Sequence, residues 1–489
     1  MPAIITNKFR INNAEQFSES FSEASPEVYY LGIGRPQAFA TQTRGDLRTE
    51  NQGTDSAAIT PADSVIEEFN TFDDLLAVKK ITTSDTSFVI PRRNWTTTTV
   101  YDYYRHDYGN RVTGTTTTQT ANSGATTLFD ATFYVLTTAR NVYKCLDNNG
   151  NAASTTEPTG TSTSILTTAD GYKWKYMYSL SATQQANFLS TDFMAVATDA
   201  TISSAAVDGA ISTVKIKSGG TGGTNGTFTS IPIRGDGTGG TISAVVSGGV
   251  VTTVTVTNAG SGYTIAYVRN ADIVSAGATS LSGAEIDVII PPKGGHGFNA
   301  VKELGGFFVM INVSLEGTES SSTGDFTAEN DFRRIVLIRN AFSGGTAASA
   351  TTLRGTKAVR FAASPTPGTF TVDEKITQAT TGAVGKVVEY DSTNRILHYI
   401  QTRFNDEGLS SLGNRTAFSG ANVITGATSA ATGTPSATAS ETADQITFTS
   451  GYKDTEIDRH KGDVLYIENR APITRASDQT ENIKLVIEF

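Results

Sequence analysis

Apolar residues along this chain come mostly in short runs of Val, Ile, Tyr and Phe, separated by Gly, Asn, Ser and Thr. That pattern predicts many short strands joined by tight turns. Strands are expected at Val28–Ile33, closed by Gly34-Arg35-Pro36, and at Phe88-Val89-Ile90 before Pro91. In Tyr172–Leu180, aromatic positions 172, 174, 176 and 178 alternate with Lys173 and Lys175, which predicts a strand with one buried face. The C-terminus reads alike, with Ile483, Leu485, Ile487 and Phe489 on one face and Lys484 and Glu488 on the other. Helix is scarce. Val65, Ile66, Phe69, Phe72, Leu75 and Leu76 recur at three- and four-residue spacing and predict a helix over Asp63–Lys79. Ser64 and Glu67 match a capping box at its start. A shorter helix is expected to begin near Asn13, with Phe17 and Phe21 on one side.

From about residue 205 the pattern becomes richer in Gly and Thr. Strand-like Val214–Lys217, Ile242–Val246 and Val250–Thr257 alternate with Gly-rich turns at 218–226, 235–240 and 247–249. This reads as a small β domain inserted over 205–290. A second insert is expected over 363–445, where Gly368–Thr380 returns as Thr416–Thr428, with Phe370, Ile376, Thr377, Ala379 and Thr380 matching Phe418, Ile424, Thr425, Ala427 and Thr428. This is the mark of a duplicated β unit too small to bury a core alone. Val384–Tyr390, the turn Asp391–Asn394 and Arg395–Gln401 read as a hairpin. The expected division is thus 1–204, 205–290, 291–362, 363–445 and 446–489. The fold class is mainly β: a layered β-sandwich core with one or two helices and two inserted small β domains.

Length and composition narrow the functional classes. A chain of 489 residues has room for roughly three domains at about 150 residues each. Its single cysteine excludes an internal disulfide and a cysteine metal cluster. With 38 basic and 48 acidic side chains the net charge is −10, and no Lys/Arg-rich run supplies a face for a phosphate backbone, so nucleic acid is not an expected partner. The start lacks the apolar segment of a signal peptide, and no stretch of about 18 apolar residues occurs, so export by that route and membrane insertion are not expected.

Each chemical motif is outweighed by a plainer reading. Gly235–Gly240 satisfies G-x-G-x-x-G but is followed by a strand-like run, and dinucleotide binding needs a helix there. Gly385-Lys386 lacks the rest of a P-loop. His106, His296, His398 and His460 are scattered and Cys145 sits in a strand-like run, so a metal-free fold and a core thiol are expected, with no cofactor. Asp73/Asp74 and Asp102/Asp107 read as solvated carboxylates. The Tyr101–Tyr108 cluster has the composition of an interface hot spot or sugar-stacking platform, or of a partly buried surface loop. Pro91-Arg92-Arg93-Asn94-Trp95 is either a strand end whose guanidinium groups pair with carboxylates or an intersubunit contact.

Several segments together resemble one family, the baseplate wedge subunit of contractile-tailed, T-even-like bacteriophages. They are Ile4–Arg10, Asp63–Ile66, Val89–Trp95, Tyr143–Asp147, Asp170–Tyr176, Asp331–Ile335 and Gly462–Ile473 with Asp478–Glu481, and they occur in the family's order. The likeness covers roughly 1–200, 290–360 and 450–489 and leaves out the two inserts. It implies a mainly β, layered sandwich protein without catalytic activity, present as a homodimer and bound to other wedge proteins in the virion tail baseplate after assembly in the host cytoplasm. A receptor- or glycan-binding tail protein is the alternative, and a β-rich hydrolase of cell-wall polymers the third reading. The residues expected to fix the fold or an interface are Arg92, Arg93, Trp95, Tyr101, Tyr104, Trp174, Glu468 and Arg470, with Glu468 expected to pair with Arg92 or Arg93.

Overall fold

The computed structural model describes residues 3–23, 27–43, 49–51, 53–112, 114–316, 327–328, 330–402, 408–409, 414–476 and 479–489. Asp478 of the last resembling segment lies outside them. The described residues are mainly β, with antiparallel pairing throughout the registered ladders and six helices, more than the one or two expected. The helix expected to begin near Asn13 starts earlier: α1 spans Asn7–Glu19 and ends before Phe21. Four of the six helices are of seven residues or fewer. They are short turns at strand ends that carry too little periodicity to be read from sequence.

The chain forms two compact units. The first comprises Met1–Phe17, Ser87–Met310 and Val486–Phe489, the second Ser18–Thr86 and Ile311–Leu485. In the first unit, a four-stranded sheet runs in the order Leu166–Thr167, Lys173–Ser179, Asn141–Asp147, Tyr134–Leu136. Trp174 lies opposite Cys145 and Tyr176 opposite Tyr143. One face of the sheet buries Tyr143, Cys145, Trp174 and Tyr176 together with Tyr101 and Tyr172. The other buries Val142, Leu146, Met177 and Tyr178 in a larger cluster. Lys173–Ser179 is therefore covered on both faces, not one. Lys175 is buried and gives its ammonium to the Thr163 carbonyl, so the alternation that suggested a wet face marks two differently filled interiors.

Residues 211–290 of this unit bury a cluster of their own around Ile211, Ile231, Ile242, Val246, Tyr263 and Ile286. The paired strands Thr213–Thr221 and Ser282–Ile289 lie beside the three-stranded sheet Gly226–Pro232, Thr241–Ser247, Val250–Asn258. Gly248 and Gly249 turn the last hairpin, both at positive φ, a conformation that glycine adopts without strain.

In the second unit a five-stranded antiparallel sheet has the order Thr352–Arg354, Leu75–Lys80, Tyr29–Gly34, Asp331–Arg339, Asp463–Thr474. Tyr29–Gly34 is buried at every position. Gly32 is required there, because a Cβ would stand 2.8 Å from methyl carbons of both Val78 and Val336 on the flanking strands. Helix α2, Val65–Asp73, precedes this sheet's second strand in sequence. The helix expected over 63–79 therefore stops at Asp73. Leu75–Val78, fully buried between two strands, is better satisfied by ladder hydrogen bonds than by another helical turn.

A seven-stranded sheet follows: Thr432–Gly433, Ile424–Gly426, Lys375–Gln378, Ala383–Asp391, Ile396–Ile400, Lys357–Arg360, Tyr452–Lys453. Its core holds Phe370, Phe418, Ile376 and Ile424 together. The expected hairpin is present as Ala383–Asp391 paired with Ile396–Ile400, its turn held by the Asp391 carboxylate on the amides of Thr393 and Asn394.

Candidate interaction site

The strand Asp463–Thr474 is the end member of the five-stranded sheet. One side pairs with Asp331–Arg339, Glu468 lying opposite Ile335 and Asn469 opposite Arg334. Most of its side chains are half-buried or exposed, and Leu465 is 46% exposed. An edge strand offers unpaired backbone N–H and C=O groups to any further strand.

Beside this edge lies a cleft of about 410 Å³, lined by Phe332, Ile335, Ile473, Ile483 and Leu485 with Glu468, Arg470, Glu481 and Lys484 among them. Glu468 accepts a hydrogen bond from the Tyr466 hydroxyl at 3.0 Å. Burial and that neighbouring carboxylate push the Tyr466 phenol up to about 12. Arg470 makes no ion pair or side-chain hydrogen bond among the described residues. Glu481 is held by Arg475 at 3.1 Å, and Arg475 also donates to the carbonyls of Thr327 at 2.8 Å and Glu316 at 3.2 Å. Arg475 is 1% exposed, so the wall behind the cleft is fixed by a buried guanidinium spanning three segments.

The same sheet rests on buried charge around α2. Ser64 caps the helix by accepting the Glu67 amide, but the other half of the expected capping box is missing. The Glu67 carboxylate instead takes Arg334 at 2.7 Å. Arg334 reaches the Thr71 hydroxyl at 3.1 Å and the Asn469 side-chain oxygen at 3.0 Å, tying α2 to the edge strand. Asp73 and Asp74, expected to be solvated, are 2% and 4% exposed. Asp73 is met by Arg415 at 2.8 Å, His460 at 3.2 Å and Arg459 at 3.9 Å. Burial raises its pKa, yet the His460 hydrogen bond and the two guanidinium charges outweigh that and hold it below the carboxylate range. Asp74 is different: burial pushes it up to about 6 in spite of Arg334 and Arg35, which stand 3.5 and 3.9 Å away.

The first unit contains the aromatic and cationic residues expected to fix an interface, and the structure turns most of them inward. Trp174 is fully buried and stacked on Tyr172 at 5.4 Å. Tyr101 meets Trp174 edge-on at 5.8 Å and accepts the Thr96 amide at 2.6 Å. Tyr104 packs edge-on against His296 at 5.0 Å. Trp95, half-buried, donates its indole N–H to Ser154. The Tyr101–Tyr108 segment is therefore a clamped loop rather than a stacking platform. Asp102, 1% exposed, accepts from Ser123 and Thr132, and Arg105 bridges Asp107 at 2.7 Å and Asp287 at 2.6 Å.

Arg92 donates to the Asn94 side chain and the Ser190 carbonyl, and Arg93 to the carbonyls of Phe129, Asp130 and Ala131 while lying over the Tyr134 ring. Neither pairs with a carboxylate of its own unit among the described residues, and Glu468, expected to pair with one of them, belongs to the second unit. Backbone carbonyls at a strand end are near-neighbour acceptors that the sequence does not advertise.

Cys145, His296, His398 and Lys144 are buried. Cys145 is fully buried, and burial raises its thiol well above the ordinary value. Burial and the nearby Lys144 and Lys175 charges keep His296 neutral, and burial holds His398 down at about 3. His106 accepts the Ile290 amide. Lys144, buried and lowered by desolvation, is ion-paired to Glu303. Asp236, in the Gly235–Gly240 turn, accepts from the amides of Thr264 and Ile265, and a strand follows the turn. Among the described residues no group of three or more His, Cys, Asp or Glu is placed to hold a metal ion, and no helix is long and apolar enough to cross a membrane.

A family model described as Phage-Gp8, Bacteriophage T4 Gp8, matches residues 3–147 and 412–489. The first block contains α2 and the strands Tyr29–Gly34 and Leu75–Lys80, and the second contains the edge strand and most of the cleft lining. Residues 148–411 lie outside the match, including the resembling segments Asp170–Tyr176 and Asp331–Ile335. No curated protein matches the chain.

Proposed function

As the chain belongs, through its N-terminal and C-terminal blocks, to the Gp8 family of phage baseplate wedge proteins and has a structural role in the tail baseplate, we propose that it holds neighbouring wedge proteins together during assembly and through tail contraction, as a homodimer. The observation that carries this reading is the two-block family match. The build of the second unit supports it. A subunit that keeps its neighbours while the tail reorganises needs a rigid interior and interfaces that can differ between states. Arg334 and Asp73 supply buried anchors, and the edge strand with its cleft supplies an interface. We further propose that 205–290 and 363–445 are inserted modules, turned to neighbouring virion parts, and that the protein joins the wedge in the host cytoplasm.

The receptor- or glycan-binding alternative drew on the Tyr- and Trp-rich runs, and Tyr101, Tyr104 and Trp174 lie in the core. Assembly in vitro tests the proposal. Wedge proteins encoded beside this one should form a complete wedge only when it is added, and a complete wedge formed in its absence would contradict a holding role.

A further inference from the structure

We infer that the outer edge of Asp463–Thr474 is the face by which two copies of this chain associate, pairing antiparallel about Asn469. The inference rests on the homodimer proposed above and assigns its interface. Three observations carry it: the strand ends its sheet, so one side of its backbone has no ladder partner among the described residues, the nearby Ala57–Ile59 segment meeting it through the Asn469 side-chain amide on the Ile59 carbonyl at 3.1 Å; Arg470 makes no ion pair or side-chain hydrogen bond among them; and Glu468 holds, among them, only the Tyr466 hydroxyl.

Glu468 and Arg470 are two residues apart and line the same cleft, so both project from one face of the strand. Antiparallel pairing centred on residue 469 sets residue 468 of one copy opposite residue 470 of the other. Directly opposed residues share a face, so each carboxylate meets the other copy's guanidinium, and the symmetry forms the pair twice. Charge complementarity of this kind selects both partner and register. The same pairing covers Leu465, exposed on this strand.

The strand also carries the means to stop the association there. Pro472 has no N–H to donate, and the ladder to Asp331–Arg339 is irregular between Phe332 and Arg334, so regular pairing is confined to the middle of the strand. An isologous pair uses the edge of both copies and closes, whereas a head-to-tail pairing would leave an edge open for a third chain.

The test is a charge exchange in the full chain, read by sedimentation or light scattering across a concentration series. E468R alone faces Arg470 with arginine, and R470E alone faces Glu468 with glutamate, so each variant should dimerise at least about tenfold more weakly than the native chain. In a mixture of the two variants, one copy carries arginine at both positions and the other glutamate at both, so every opposed pair is again of opposite charge. A dimer containing one copy of each variant should therefore be restored. Far-ultraviolet circular dichroism and melting temperature confirm that each variant is folded. Single variants that dimerise as tightly as the native chain, or a mixture that fails to recover, would overturn this face while leaving the homodimer intact. A native chain monomeric at all concentrations would overturn the homodimer, and a monomer whose edge pairs only with a strand of another wedge protein would overturn the self-association.

Discussion

Arg334 and Glu67 meet at 2.7 Å inside the second unit, the guanidinium 1% exposed. The same Arg334 holds the Thr71 hydroxyl and the Asn469 side chain, so one side chain joins a helix, a central strand and the edge strand. Removing it leaves the Glu67 carboxylate buried without its partner. We expect R334M to lose about 3–5 kcal/mol, the usual cost of breaking a buried pair from one side. Urea denaturation checks this, and a loss below about 1 kcal/mol would show that the network is replaceable by water.

Gly32 separates Val78 from Val336, and a Cβ there would approach a methyl of each at 2.8 Å. G32A should cost about 1–3 kcal/mol by overpacking. Combining it with V336A removes one of the two clashing methyl groups and should recover part of the loss. A double variant less stable than the sum of the two singles would mean that strain lies elsewhere in the strand.

These positions show what the sequence could and could not disclose. Tyr29–Gly34 was legible because a run apolar on both faces bounded by Gly-Arg-Pro fits a central strand. Leu75–Val78 was misread as helix because the same residues satisfy a 3.6-residue period and a buried strand. Asp73 and Glu67 were unreadable as buried ions, since their partners Arg415 and Arg334 come from distant parts of the chain. The wedge-family resemblance was legible in short segments at both ends of the chain. The cleft was not, because Phe332, Ile473 and Ile483 belong to three different strands. Of the candidate residues, Glu468 and Arg470 line it together, whereas Trp174, Tyr101 and Tyr104 serve the core.

Thr377 and Thr425 stand opposite each other where Lys375–Gln378 pairs with Ile424–Gly426. Each strand also forms the first arm of a hairpin in the same register, Ile376 with Gly385 and Ile424 with Gly433. Phe370 and Phe418 share one core, so F370A and F418A should each lose about 3–5 kcal/mol from the same cooperative transition. Hydrogen exchange followed by mass spectrometry would reveal this as joint loss of protection in both hairpins. Loss confined to the mutated hairpin would contradict a shared core.

Three groups make stability depend on pH, two weakening the fold as pH falls and one as it rises. Burial works against Asp170, but hydrogen bonds from Thr168, Thr155, Thr156 and Tyr172 bring it down to about 2. Its folded pKa is below the unfolded value of about 3.9, so its stabilisation is present above that pH and lost as pH falls toward 2. His398, held by burial at about 3 against about 6.5 unfolded, contributes stability that is lost as pH falls between those values. Asp74 has the opposite sign: raised to about 6, it contributes stability below about pH 4 that is lost as pH rises through 6. Chemical denaturation from about pH 2 to 7 should therefore show D170N with a shallower decline between about pH 4 and 2, and D74N with a smaller loss between about pH 4 and 6. Parallel curves for native and variant chains would contradict these assignments.

The central claim, a structural wedge subunit acting as a dimer, is tested most directly by light scattering of the purified chain, alone and then mixed with the wedge proteins encoded beside it. The account predicts a mass about twice 51.6 kDa alone and a single heavier complex on mixing. A species of 51.6 kDa that remains separate from those proteins at every concentration would contradict it.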